Sequence, residues 1–270
     1  MSGMRIRLNA HRPGALADFF VQALGFQRGR QDATGASLVL GETLVDIAAC
    51  DGQPYPVSVP GWSPLFQHFA ITTPDMVAAM ARLDAVGGWA AITRDGPQRL
   101  PANTGGVTAF KFRDPEGHPL ELITFPNEGP TTPPRIDHSA ISVADTATSV
   151  AFYGALGLAV GGRSLNRGPE QDRLDGLDGA EVEVTALEFP AGGPHVELLC
   201  YSGDYPRTAP PAGAGVAAED VAATRLDWAV GADMEDLAGR LTSHDVSFDP
   251  AAGVLLIRDP DGHLLRLSTG

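Results

Sequence analysis

The sequence predicts an α+β fold built from four copies of a strand–helix–strand–strand–strand unit, and three observations predict it. First, F-R-D-P-E-G-H-P-L-E-L at 112–122 recurs as I-R-D-P-D-G-H-L-L-R-L at 257–267. Each copy reads as a hairpin: two strands joined by a tight turn on Asp-Pro-x-Gly. Second, A-D-F-F-V-Q-A-L-G-F at 17–26 recurs as V-A-F-Y-G-A-L-G-L at 150–158, a helix that ends near Gly25 or Gly157. Third, short alternating segments flank these repeats at matching places. Self-similarity of this kind marks a repeated supersecondary unit.

The first copy, at 4–50, begins with a strand at 5–9 and passes through the helix ending at Gly25 to strands at 37–40 and 44–48. The second, at 64–126, opens with 68–72 and closes with 107–112 and the first hairpin. In the third, at 136–201, strand 138–142 precedes the helix ending near Gly157, and 182–189 and 195–200 follow. The fourth, at 223–269, opens with 227–230 and ends on the second hairpin. In chain order these units form an N-terminal pair (1–126) and a C-terminal pair (136–270). Between them lies N-E-G-P-T-T-P-P-R at 127–135, a proline-rich linker. The Pro/Gly/Ala-rich stretch 202–221 reads as a long loop, of a length usually found in lids or disordered segments.

With 270 residues, 43% hydrophobic and 19% charged, the chain has the composition of a globular protein with a substantial core. A net charge of −14 argues against nucleic acid or an anionic membrane surface as partner, because phosphate binding needs a basic patch. No apolar run is long enough to span a bilayer, and M-S-G-M-R-I-R-L-N-A-H-R lacks the apolar region of a signal peptide. The expected location is cytoplasmic, with Cys50 and Cys200 free rather than paired.

Within the repeats, His68 and His138 occupy the same position of the first strand in adjacent copies, and each is followed at a similar interval by a glutamate, Glu121 or Glu197. Two imidazoles and two carboxylates converging on one point make a divalent-metal site of mixed nitrogen and oxygen character. One such histidine alone is most often a satisfied surface or core residue; the matched pair is what points to a metal.

The repeated unit, the D-P-[ED]-G-H hairpins and the F-Y-x-x-L-G-L helix end together resemble the vicinal oxygen chelate superfamily. Glyoxalase I, extradiol dioxygenases and the bleomycin resistance proteins belong to it. The resemblance implies four βαβββ modules in a single chain, arranged as two curved mixed-sheet half-barrel domains. It also implies metal ligands at the start of the first strand and the middle of the last strand of each module. Carried over by position, these are Arg5 and Asp46, His68 and Glu121, His138 and Glu197, and Asp227 and Arg266.

Two pairings of modules are open. If neighbours in sequence share a cavity, each cavity holds one His, two carboxylates and one Arg. If modules two and three pair, one cavity holds His68, Glu121, His138 and Glu197, with Arg5, Asp46, Asp227 and Arg266 left as a degenerate, charge-neutral site. The second is preferred, because mutually paired Arg and Asp are tolerable where isolated buried charges are not.

Alternation places Ala70 and Thr72 on the face of His68, Ala140 and Ser142 on that of His138, Ile123 beside Glu121, and His195, Leu199 and Tyr201 beside Glu197. These residues are expected to line a partly apolar pocket, with His195 either supporting Glu197 or acting as an acid/base. His118 and His263 recur in both hairpins and are expected to be structural. D-R-L-D-G-L-D-G at 172–179 reads as a solvated turn.

The expected cofactor is one divalent ion (Ni, Co, Zn, Mn or Fe), and the expected partner a small-molecule substrate of a monomer or homodimer. The leading expectation is a metal-dependent, glyoxalase-like lyase or isomerase in which Glu121 or Glu197 moves a proton next to a carbonyl. An Fe(II)-dependent extradiol-type dioxygenase and a non-catalytic binding or resistance protein are the alternatives. Glyoxalase I also implies a basic residue shortly after the His, to grip glutathione. H-S-A-I-S at 138–142 has none, leaving only Arg163, Arg167 and Arg173 as substitutes.

Overall fold

A computed structural model describes residues 4–204, 216–230, 237, 241, 246–249 and 253–269. The first module contributes β1 (Arg5–Ala10), α1 (Pro13–Leu24), β2 (Gln27–Asp32), β3 (Gly35–Leu40) and β4 (Thr43–Ala49). The second contributes β5 (Gln67–Thr72), α2 (Met76–Val86), β6 (Ala90–Ala91), β7 (Gln98–Arg99), β8 (Thr108–Arg113) and β9 (Pro119–Thr124). The third holds β10 (Ile136–Ser142), α3 (Thr146–Ala155), β11 (Ala159–Arg167), α4 (Pro169–Asp175), β12 (Ala180–Glu188) and β13 (His195–Gly203). The fourth holds β14 (Arg225–Val230), β15 (Val246–Asp249), β16 (Val254–Arg258) and β17 (Leu264–Thr269). Most of the segment where a fourth helix is expected, and 205–215 of the expected long loop, lie outside the described residues.

The strands form two open mixed sheets. One has the order β15-β16-β17-β14-β1-β4-β3-β2 and the other β11-β12-β13-β10-β5-β9-β8-β6, with β7 also paired to β8. Modules one and four thus share a sheet, and modules two and three share the other. Neither sheet is built from the N-terminal pair or the C-terminal pair alone. In each module the last strand returns parallel to the first, as in β5 with β9 and β10 with β13, and in the first three modules the connection includes a helix. The modules meet through antiparallel pairs, β1 with β14 and β5 with β10.

Strand alternation explains which face is the core. On β5, Phe69 and Ile71 point one way and His68 and Ala70 the other; on β9, Leu120 and Leu122 oppose Glu121 and Ile123. Phe69, Ile71, Leu120 and Leu122 join one continuous apolar core that also takes in Leu16 and Phe20 of α1, Leu83 of α2 and Phe152 of α3. That core includes Leu8 and Ile47 from the first sheet and Val196 and Leu198 from the second, so it joins the two sheets. Asp75 and Asp145 start α2 and α3, each side chain accepting a hydrogen bond from a backbone N–H three residues on.

The two hairpins repeat in detail. Asp114 Oδ1 accepts from the backbone N–H of Glu116 and His118, at 2.8 and 3.0 Å. Asp259 Oδ1 accepts from Asp261 and His263, at 3.0 and 2.9 Å. Gly117 (φ 100°) and Gly262 (φ 95°) occupy the left-handed region that the turn requires. Each histidine then reaches the other sheet: His118 Nε2 donates to the Asn9 carbonyl on β1 and His263 Nε2 to the Ser142 carbonyl on β10, both at 3.0 Å.

Candidate metal centre

The register of the second sheet sets out the site in two rows. In one row, Glu197 lies beside Ala140, which faces His68 across the antiparallel pair. In the other run His195, His138, Ala70, Glu121 and Lys111, from β13 through β10, β5 and β9 to β8. Each histidine therefore has an alanine directly across from it on the neighbouring strand. That packing explains why Ala70 and Ala140, expected on the pocket wall, lie fully buried beneath it instead.

His68 Nε2 is 3.1 Å from Glu121 Oε2. His138 Nε2 lies 3.6 Å from the same oxygen and 3.5 Å from Glu197 Oε2. These last two separations are long for a hydrogen bond but short enough for the groups to share a cation. His68, Glu121 and His138 each place a ligand atom within 4.8 Å of the other two; Glu197 touches the group through His138 alone.

Supporting groups orient the candidate ligands. The strand register shifts between Ile136 and His138, a bulge that leaves Asp137 out of the ladder. Asp137 Oδ2 accepts a hydrogen bond from His138 Nδ1 at 3.0 Å. With its Nδ1 proton held there, the imidazole presents Nε2 to the two glutamates, and that buried nitrogen has no hydrogen-bond partner among the described residues. A lone pair aimed between two carboxylates is unfavourable unless a cation or proton lies between them, so the donor set fits a divalent metal. His195 Nε2 approaches Glu197 Oε1 at 3.3 Å and steadies it in the same manner.

The charges in the site shift one another. Burial opposes charge on His138, but Glu197, Asp137 and Glu121 outweigh it and hold the imidazole well above its usual pKa. Burial, reinforced by Lys111, lowers His68. Burial would raise Glu121 and Glu197; the imidazoles beside them win and hold both carboxyls low, Glu121 well below its ordinary range.

A cavity of about 360 Å³ opens on these groups. Ile123, Leu199 and Tyr201 line it, together with Leu100, Val107, Phe125, Val182 and Val184. Thr72 and Ser142 do not. The Thr72 hydroxyl accepts from the Arg135 backbone N–H at 3.0 Å, and the Ser142 hydroxyl donates to the Gly61 carbonyl. Both sit at the far ends of their strands, where the chain crosses over them.

Lys111, Gln171 and Asp175 form a part of the cavity region that sequence reasoning missed. Lys111 Nζ donates to Asp175 Oδ1 at 2.7 Å, while Gln171 Nε2 and the Tyr201 hydroxyl donate to Oδ2 at 2.7 and 3.1 Å. Burial would discharge Lys111, but Asp175 and Glu121 overcome that and raise its pKa. Asp175 belongs to the acidic segment expected to be a solvated turn. Instead 169–175 is helix α4, laid over the mouth of the second module. It is fixed there by Thr93 Oγ1 donating to the Leu174 carbonyl (2.9 Å) and Arg173 Nε donating to Gln98 (2.7 Å). Those bonds also direct Arg173 away from the cavity. Arg167 pairs with Glu181 on the exposed edge, and Arg163 is exposed; none of the three lines the cavity.

The equivalent face of the first sheet differs from expectation. Arg5 is exposed, and Asp46 accepts from the Ser37 hydroxyl. Asp227 is gripped by Arg225, with Nη2 to Oδ2 at 2.8 Å, and stands 3.9 Å from Arg266. Arg7, two residues beyond Arg5 on the same strand face, sits across from both Arg225 and Asp46. Counting one residue per strand omitted Arg7 and Arg225, so on β1, β4, β14 and β17 this face carries four arginines against two aspartates and is not neutral. Burial and the charge of Arg225 lower the pKa of Arg7.

No curated protein matches the chain. Among solved structures, glyoxalase I from Zea mays superposes with a TM-score of 0.63 at 16% identity, covering 99% of this chain and 93% of that one. A putative dioxygenase from Bacillus subtilis subsp. subtilis str. 168 gives 0.57 at 14% identity, over 98% and 84%. At these identities the likeness is one of fold. The family model described as Glyoxalase/Bleomycin resistance protein/Dioxygenase superfamily matches residues 5–122 and again 135–267. Matched twice over nearly its whole length, the chain belongs to that superfamily.

Proposed function

We propose that the protein is a divalent-metal-dependent, glyoxalase-like lyase or isomerase that moves a proton next to a carbonyl of a small, partly apolar substrate. The observation that carries this is the unpartnered, buried His138 Nε2 set between Glu121 and Glu197, with His68 on the other side of Glu121. His68, His138 and Glu121 would hold the metal, with Glu197 as a fourth, looser ligand. The metal, when bound, supplies Lewis acidity that favours charge building up on a substrate oxygen.

The chain's own groups supply the rest. Glu197 is the less enclosed carboxylate and touches only His138 of the compact group, which suits it to take a proton from the substrate. His195 holds its other oxygen and orients it. The apolar wall of Leu100, Val107, Phe125, Val184 and Leu199 excludes water from the proton in transit.

One observation favours a second reading. The tight group consists of two His and one Glu, the ligand set of non-haem Fe(II) oxygenases. The test of both is to strip the protein with chelator and return Ni²⁺, Co²⁺, Zn²⁺, Mn²⁺ and Fe²⁺ singly, to wild type and to His68→Ala/His138→Ala. One ion per wild-type chain and none in the double variant is expected. Preference for Fe²⁺ with oxygen uptake on a catechol would move the assignment to the dioxygenase. No ion in either protein would leave only a binding or resistance role.

A further inference from the structure

In the corner of the cavity formed by β8 and α4, two buried polar groups keep hydrogen-bonding capacity that no described residue fills. Lys111 is 5% exposed and Gln171 4%, yet both line the cavity. An ammonium carries three N–H donors; the one acceptor that Lys111 Nζ meets among the described residues is Asp175 Oδ1. Gln171 is held by the other oxygen of the same carboxylate through Nε2. The amide cannot flip without setting its oxygen against the Asp175 carboxylate, so Oε1 is the atom turned away. That buried Oε1 has no hydrogen-bond partner among the described residues. An unfilled acceptor costs stability unless a ligand or water satisfies it.

We infer that Lys111 and Gln171 together bind a hydroxyl of the substrate, and that the substrate is a neutral chelating molecule, such as a hydroxy-ketone, carrying this further hydroxyl. A hydroxyl accepts from the ammonium and donates to the amide oxygen, so it completes both groups. A carboxylate satisfies only Lys111; it presents a lone pair to Gln171 Oε1 and enters a cavity that already holds Glu121, Glu197 and Asp137. Position agrees with this role. Lys111 is directly across the ladder from Glu121, so their β-carbons are about 5 Å apart and one small molecule can reach both. The inference rests on the reading of a divalent metal between His68, Glu121 and His138.

Three hydroxypyranones that share one chelating hydroxy-ketone test it: kojic acid bears a hydroxymethyl group, allomaltol a methyl and comenic acid a carboxylate at the same ring position. Their affinities are measured by calorimetry on the zinc-loaded full chain, with zinc content determined on the same samples. Wild type is expected to bind kojic acid about tenfold or more tighter than allomaltol, as for a hydrogen bond to a charged group, and comenic acid no tighter than allomaltol. Gln171→Leu and the charge-free pair Lys111→Met/Asp175→Asn should each erase the preference for kojic acid while retaining zinc. Two variants are used because removing Lys111 alone strands a buried carboxylate. Comenic acid binding tightest, equal affinities, a preference that survives in both variants, or no binding to zinc-loaded wild type would each overturn the hydroxyl assignment while leaving the metal reading in place. Wild type that takes up no zinc would remove the metal reading, and the assignment with it.

Discussion

The residue that best shows how local geometry orients a proposed metal ligand is Asp137. In a regular strand it would point away from its neighbour His138. The bulge at this position leaves it out of the ladder, and its carboxylate takes the Nδ1 proton of His138. Such a partner fixes the tautomer and raises the basicity of the ligating nitrogen. Asp137→Ala is therefore expected to weaken metal binding by about 10- to 100-fold while leaving the stoichiometry at one ion per chain. His138→Ala, by contrast, should abolish it. Competition titration with a chromophoric chelator separates the two, and an unchanged affinity in Asp137→Ala would mean that the bulge has no bearing on the metal. His68 has no equivalent among the described residues: its buried Nδ1 finds no hydrogen-bond partner there, and its ring packs against that of Phe66 at a separation of 5.5 Å. Its orientation comes from packing instead.

At the scale of elements, α4 is the part whose removal should be felt most. Asp175 accepts hydrogen bonds from Lys111, Gln171 and Tyr201, and ties the third module to β8 of the second. Asp175→Ala leaves Lys111 buried without its ion-pair partner, at a cost of about 3–5 kcal/mol. Lys111→Met/Asp175→Asn removes both charges and should cost far less. Urea unfolding of the two variants checks this; equal losses would show that an unpaired ammonium is not the cause. This element also marks the limit of what could be read in the sequence. His68, Glu121, His138 and Glu197 were legible because the repeat places them at equivalent strand positions, and register converts equal positions into proximity. In D-R-L-D-G-L-D-G no apolar period announces a helix; α4 is held by Thr93, Gln98 and Lys111, all far away in the chain. Lys111 was equally hidden. In T-A-F-K-F-R it alternates with Phe110 and Phe112, the pattern of a solvent-facing lysine, yet it is buried and paired with Asp175 of α4. Arg7 escaped notice for a third reason: a rule that takes one residue per strand cannot see the next one on the same face.

For the whole molecule, the question is what holds the two sheets against each other besides their shared core. The hairpin histidines are one answer, since each is buried and crosses from its own sheet to a carbonyl of the other. His118 faces two acceptors, Asp114 Oδ2 at 2.8 Å from Nδ1 and the Asn9 carbonyl at 3.0 Å from Nε2. Satisfying both needs a proton on each nitrogen, which is the charged imidazolium. Burial opposes that charge, but the Asp114 carboxylate and the Asn9 carbonyl prevail and raise the pKa above its usual value. A group whose pKa is raised on folding binds its proton more tightly in the native state, so folding is favoured where the proton is present. The contribution is complete below the unfolded value, near pH 6.5, and fades as pH climbs through the higher folded value. His118→Gln keeps a polar side chain but cannot carry the charge. The loss of stability in this variant relative to wild type should therefore be largest near pH 6 and shrink as the medium becomes alkaline. Urea unfolding of both proteins across that range measures it, with metal-free samples used throughout so that the metal centre does not contribute. A difference that stayed constant with pH would assign His118 to packing alone. One that grew with pH would show that the folded state prefers the neutral ring, and that Asn9 is joined by the histidine in a single tautomer.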